Sequence, residues 1–87
     1  MKNEQQLRTE IRQFVLNELL MGDATAMLED EESFLETGTI DSTGVLEVVM
    51  FLEQSFGMKV HDRELVPENL DSVSRLVQFV IRKKHAA

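Results

Sequence analysis

The chain has 87 residues, a net charge of −7 and no cysteine. A length in this range is one small domain, 1–87, with a thin core and little room for an enclosed active site. The absent cysteines exclude disulfides, thiolate metal sites and a cysteine nucleophile, and the acidic balance argues against nucleic acid and anionic membranes as partners.

The opening stretch MKNEQQLRTE is polar and lacks the apolar centre of a secretory signal. No apolar run approaches the ~20 residues needed to cross a bilayer. A soluble, cytoplasmic protein without membrane insertion is expected. Leu7, Ile11, Phe14, Val15 and Leu19 recur at helical spacing, which predicts an amphipathic helix from about Asn3 to Met21. Gly22 is its natural stop, because glycine takes the left-handed cap without strain.

From Asp23 to Asp41 the periodicity fades, and the residues read as a long loop with a helical turn near Ala24–Leu28. Phe34, Leu35 and Ile40 are expected to pin this loop to the core. Long loops in small domains are often functional. Between Arg12 and Lys59 there is no Lys, Arg or His, while Glu18, Asp23, Glu29, Asp30, Glu31, Glu32, Glu36, Asp41, Glu47 and Glu53 all fall there. Such a field attracts proteins with basic patches, and it also simply keeps a small protein soluble.

A second helix is predicted from Ser42 or Thr43 to about Phe56, with Val45, Val48, Val49, Leu52 and Phe56 as its core face. Asp41 or Ser42 can cap it, and Gly57 ends it. Met58, Lys59 and Val60 read as extended, and His61–Leu65 as one short helical turn. Pro67 forbids a continuous helix there. A last helix begins near Asp71 or Ser72, carries Val73, Leu76, Val77, Val80 and Ile81 on its inner face, and frays at His85, Ala86 and Ala87. Arg82, Lys83 and Lys84 suit its negative C-terminal end. The expected fold is all-α, a small bundle of three main helices plus one short helix, with the long loop between the first two.

The chemistry available is narrow. A serine nucleophile needs a base and a group that orients it. The only histidines are His61 and His85, and the stretch Ile40-Asp41-Ser42-Thr43-Gly44 lacks the first glycine of a nucleophile elbow. The adjacent acids Glu29, Asp30, Glu31 and Glu32 do not have the spacing of a calcium loop and read as a solvated patch, with no metal expected. The scattered glycines offer no phosphate-binding loop. Ser42 stands at a loop-to-helix junction, where it is either an ordinary cap or a site for covalent modification, since a phosphate ester is favoured at a helix start.

Gly38-Thr39-Ile40-Asp41-Ser42, followed by Val45-Leu46-Glu47-Val48-Val49-Met50 and ending in Phe56-Gly57, resembles the acyl carrier and peptidyl or aminoacyl carrier protein family over nearly the whole chain. The resemblance implies a discrete, non-catalytic, monomeric carrier, with 4′-phosphopantetheine attached to Ser42 beside Asp41. It would explain how a chain without cysteine handles thioesters: the thiol arrives with the cofactor. It implies as partners a phosphopantetheinyl transferase and adenylating acyl or aminoacyl ligases or synthases with basic docking patches. Glu47, Met50 and Glu53, three residues apart on one helix face, would be read by those partners. At least one of Leu46 and Met50 should be exposed. Val49, Leu52, Leu65, Leu70 and Val73 are candidates to line a cargo cavity, each equally readable as ordinary core. Thr43 and Gly44 depart from fatty-acid carriers, and Asp-Ser-x-Gly with Pro-Glu-Asn-Leu-Asp-Ser looks more like carriers of amino acids, D-alanine included, or of specialised acyl groups. The alternative from another class is an acidic helical interaction module without a cofactor.

Overall fold

Asn3 opens the first helix by a reciprocal cap: its side chain accepts the Gln6 N–H at 2.8 Å, and the Gln6 side chain accepts the Asn3 N–H at 2.9 Å. The computed structural model describes residues 3–86, apart from the side chains of Ser42 and Ala86. Among the described residues there is no strand. The helices are α1 (Glu4–Phe14), α2 (Ser42–Phe56), α3 (Pro67–Leu70) and α4 (Val73–Ala86).

The first helix ends differently from its apolar pattern. After Phe14 the backbone widens into a π turn over Val15–Leu19, and the Leu20 N–H reaches the Val15 carbonyl at 3.0 Å. Two left-handed residues then stop it, Met21 at φ 55° and Gly22 at φ 82°. The glycine stop is as expected; a left-handed Met is not, and its side chain is left in solvent.

The long loop is tied down by side chains remote in sequence. A short 3₁₀ turn at Ala24–Ala26 matches the expected helical turn. Arg8 pairs with Asp30 at 2.7 Å, and Arg12 pairs with the other oxygen of the same carboxylate. The Ser74 N–H donates to the Asp30 carbonyl at 2.9 Å. Asp30 is therefore a cross-link between α1, the loop and α4, and the expectation of a solvated Glu29–Glu32 patch is corrected at this residue. Further on, the Phe34 N–H donates to the Asp71 carbonyl at 2.8 Å, the Leu35 N–H to the Asp71 carboxylate at 2.9 Å, and the Ser33 hydroxyl to the same carboxylate. Phe34 and Ile40 are buried as expected. Leu35 is not: it stays half in solvent, because the bond to Asp71 turns its backbone rather than its side chain inward.

The remaining elements follow their local signals. The expected turn before the last helix is a 3₁₀ turn over Asp62–Glu64. The short helix proper is α3, which Pro67 begins rather than blocks, since its missing N–H is not needed in a first turn. The buried Ser72 accepts the Arg75 N–H at 3.1 Å and starts α4. That helix continues to Ala86, past the point where fraying was expected; Ala87 lies outside the described residues. Lys83 binds Glu64 at 3.0 Å and Lys84 donates to the Phe56 carbonyl, so these cations hold the neighbouring segments as well as facing the helix end. The core joins Ile11, Val15, Phe34, Val48, Leu52, Val73, Leu76, Val77 and Val80, with Phe79 added to the face foreseen for α4.

These ion pairs set an acid limit. Burial pushes the Asp30 carboxyl up, but the bonds and charges of Arg8 and Arg12 outweigh it and leave it below the usual range. Glu64 is also lowered, first by the His61 N–H, against burial, and further by Lys83. A depressed carboxyl contributes stability that is present above its unfolded pKa of about 4 and lost as pH falls through the folded value. The thermal midpoint is therefore expected to drop as pH goes from about 4.5 to 2.5, with a shallower drop in Asp30→Asn. An equal slope in that variant would show that Asp30 is not one of the responsible groups.

Candidate functional site

The site is built at the start of α2. The Asp41 side chain accepts the Gly44 N–H at 2.8 Å, so Asp41, and not Ser42, is the cap. Ser42 is the first residue of the helix by its backbone; its side chain lies outside the described part of the structure. N–H groups of a first turn have no partner within the helix and form its positive end, which suits a phosphate ester. Gly44 explains its own presence. A Cβ there would stand 3.3 Å from the Ile40 Cγ2, so glycine lets the buried Ile40 press against the first turn.

Beside this helix start lies an apolar cleft of about 150 Å³, lined among others by Leu35, Ile40, Val45, Val48, Leu65 and Leu70. Leu35 and Leu65 are partly exposed, so the cleft opens to solvent between the loop and the segment before α3. On the outer side of α2, Leu46 and Met50 are 58% and 56% exposed. Two large apolar side chains left in water on one helix mark a face that other molecules can cover.

No family model matches the chain. It is nevertheless similar to curated D-alanyl carrier proteins of Streptococcus pyogenes, among them those of serotype M5 strain Manfredo, serotype M49 strain NZ131 and serotype M1. Each is 31% identical over 72 residues, spanning 83% of this chain and 89% of the relative. The chain belongs to the acyl and aminoacyl carrier protein family. The crystal structure of an acyl carrier protein from Thermotoga maritima shares the helical fold, with a TM-score of 0.70 at 26% identity over 95% of this chain and 92% of that one.

Membership of the carrier family implies a phosphopantetheine prosthetic group, and the start of α2 offers a helix N-terminus with an apolar cleft at its side. The carrier cleft differs from the expected lining. Leu65 and Leu70 do line it, but Leu52 and Val73 are fully buried core and Val49 faces elsewhere; Ile40, Val45 and Val48 take their places. The contributions of Ile40 and Leu35 were not legible because they depend on how Asp71 folds the loop. Glu47 and Met50 stand exposed on the carrier's α2. Glu53 is half-buried, and its Oε2 accepts the Val60 N–H at 2.9 Å, where it holds the chain after Gly57. Among the described residues no helix is long and apolar enough to cross a membrane, and no acidic or histidine cluster could hold a metal ion.

Proposed function

We propose that residues 1–87 act as one cytoplasmic carrier domain, without catalysis of its own, in which Ser42 is esterified with 4′-phosphopantetheine by a phosphopantetheinyl transferase. When bound, the group supplies a terminal thiol on which an acyl or aminoacyl cargo is held as a thioester. The observation that carries the reading is the start of α2: the Asp41 carboxylate caps the helix on the Gly44 N–H, which sets Ser42 at its first helical position. The likeness to D-alanyl carrier proteins supports an aminoacyl cargo, D-alanine among the candidates. An adenylating ligase is then the enzyme class that loads it.

The residues of this chain position and present rather than react. Ile40 and Gly44 fix the first turn, and Val45, Val48, Leu65 and Leu70 offer a small apolar cleft at its side. Glu47, Met50 and Glu53 form the recognition face in this reading. Glu47 and Met50 are its outer members, while Glu53 takes part with one oxygen already engaged. Basic partners are steered to such a face quickly and leave it readily, as a shuttle requires.

The test is to incubate the folded protein with coenzyme A and a broad-specificity phosphopantetheinyl transferase, then to weigh it intact and fragment it. A gain of one phosphopantetheinyl group located on Ser42 is expected. An unchanged mass with a transferase active on a control carrier would overturn the reading and favour an acidic interaction module without a cofactor.

A further inference from the structure

A second depression, of about 670 Å³, runs between α1 with its π turn and α2. Its floor is aromatic. The Phe14 and Phe51 rings are stacked with centroids 4.2 Å apart and planes 12° from parallel, and both remain partly exposed. Met50 stands over the same groove. Its rim is acidic and polar: Glu18 and Asn17 on one side, Glu47 on the other, all exposed.

Three features set this groove apart from an ordinary surface dip. α1 packs chiefly on α4, and the Phe14–Phe51 stack bridges it to α2 at the floor of this open space. The π turn over Val15–Leu19 carries Asn17 and Glu18 at the rim; such turns widen a helix and recur at functional places. The two nearest arginines in sequence, Arg8 and Arg12, are engaged by Asp30, and among the described residues neither Glu18 nor Glu47 has an ion pair.

We propose that this groove seats a basic amphipathic helix of a partner enzyme, with an aliphatic side chain over Met50 and the Phe14–Phe51 stack and Arg or Lys side chains at Glu18 and Glu47. The surface read by partners then extends from α2 across to α1. Charge complementarity selects this occupant. A second copy of the chain would bring one acidic rim against another, and nucleic acid or anionic lipid would meet the same repulsion. An apolar anchor flanked by cations is the pattern that a helix laid in such a groove presents.

The assignment of the partner as an enzyme rests on the carrier reading; the binding itself does not, so it is tested on the unmodified chain. The probe is a short synthetic amphipathic helix with a leucine stripe flanked by arginines, titrated at low salt while backbone amide resonances are followed. Shifts are expected to cluster at Phe14, Asn17, Glu18, Glu47, Met50 and Phe51. Glu18→Lys is expected to weaken binding about tenfold, a loss in the range of a close interfacial charge pair. Met50→Ala should weaken it several-fold through lost apolar contact. Glu36→Lys, the same charge change on the loop, should leave affinity within about twofold. The proposal is overturned if Glu36→Lys weakens binding as much as Glu18→Lys, if the shifts lie outside the groove, if the probe does not bind, or if the groove resonances move with protein concentration alone. None of these outcomes bears on Ser42, whose loading is read separately by mass.

Discussion

Ser42→Ala is expected to abolish transfer of phosphopantetheine while leaving the fold as stable as before. The two halves of that statement have different sources. No other residue is proposed as an attachment point, so loading has nowhere else to go. The fold should not notice the change, because the cap of α2 is the Asp41 carboxylate on the Gly44 N–H and Ser42 is only the first residue inside the helix. Alanine is the best helix former and is well accepted at such a position. The unfolding free energy should therefore change by no more than about 0.5 kcal/mol. Asp41→Ala should show the reverse in stability, a loss of about 1 kcal/mol from the missing cap. Urea unfolding and intact mass, measured on both variants, check the pair. If Ser42→Ala unfolds the chain, the residue is structural and its loss of loading proves nothing. If Ser42→Ala still gains the group, the attachment site is elsewhere.

What could be read from sequence was local, and what could not was remote. The second helix carries its own limits: an Asx cap at Asp41, a core stripe through Val48, Leu52 and Phe56, and a left-handed Gly57. Period and punctuation give such an element, and the motif Gly38-Thr39-Ile40-Asp41-Ser42 leading into an apolar helix that ends in Phe56-Gly57 points to the carrier family. The loop from Asp23 to Asp41 has no such signals because its partners are distant. Asp30 meets Arg8 and Arg12, and Leu35 meets Asp71, 36 residues further along. No pattern within the loop distinguishes Asp30 from the acids on either side of it. The π turn is equally silent, since Val15 and Leu19 satisfy an ordinary helical period. Glu53 was legible as a helix-face acid but not as the acceptor that holds Val60. The cleft suffered most: its walls come from the loop, from α2 and from the segment before α3, so its lining is a product of tertiary folding.

Phe34→Ala is expected to be the most destabilising single change in the loop, at about 3–5 kcal/mol, the usual cost of emptying a fully buried aromatic site. A chain of this size has about 5–10 kcal/mol of total stability, so this is a large fraction of it. The effect should not stay local. The Phe34 carbonyl accepts the N–H groups of Thr39 at 2.9 Å and Ile40 at 3.3 Å, and its own N–H is held by the Asp71 carbonyl. The side chain thus fixes the bend that delivers Ile40 against the first turn of α2. With the ring gone, Ile40 and Leu35 lose their support, and both line the cleft. Amide exchange should rise first across 33–40 and then at the start of α2, with the end of α2 less affected. Loss of loading in Phe34→Ala, at temperatures where the bundle remains helical, would show that the loop positions Ser42. Destabilisation below about 1 kcal/mol would mean that the surrounding side chains collapse into the space, and that Phe34 fills the core without organising the loop.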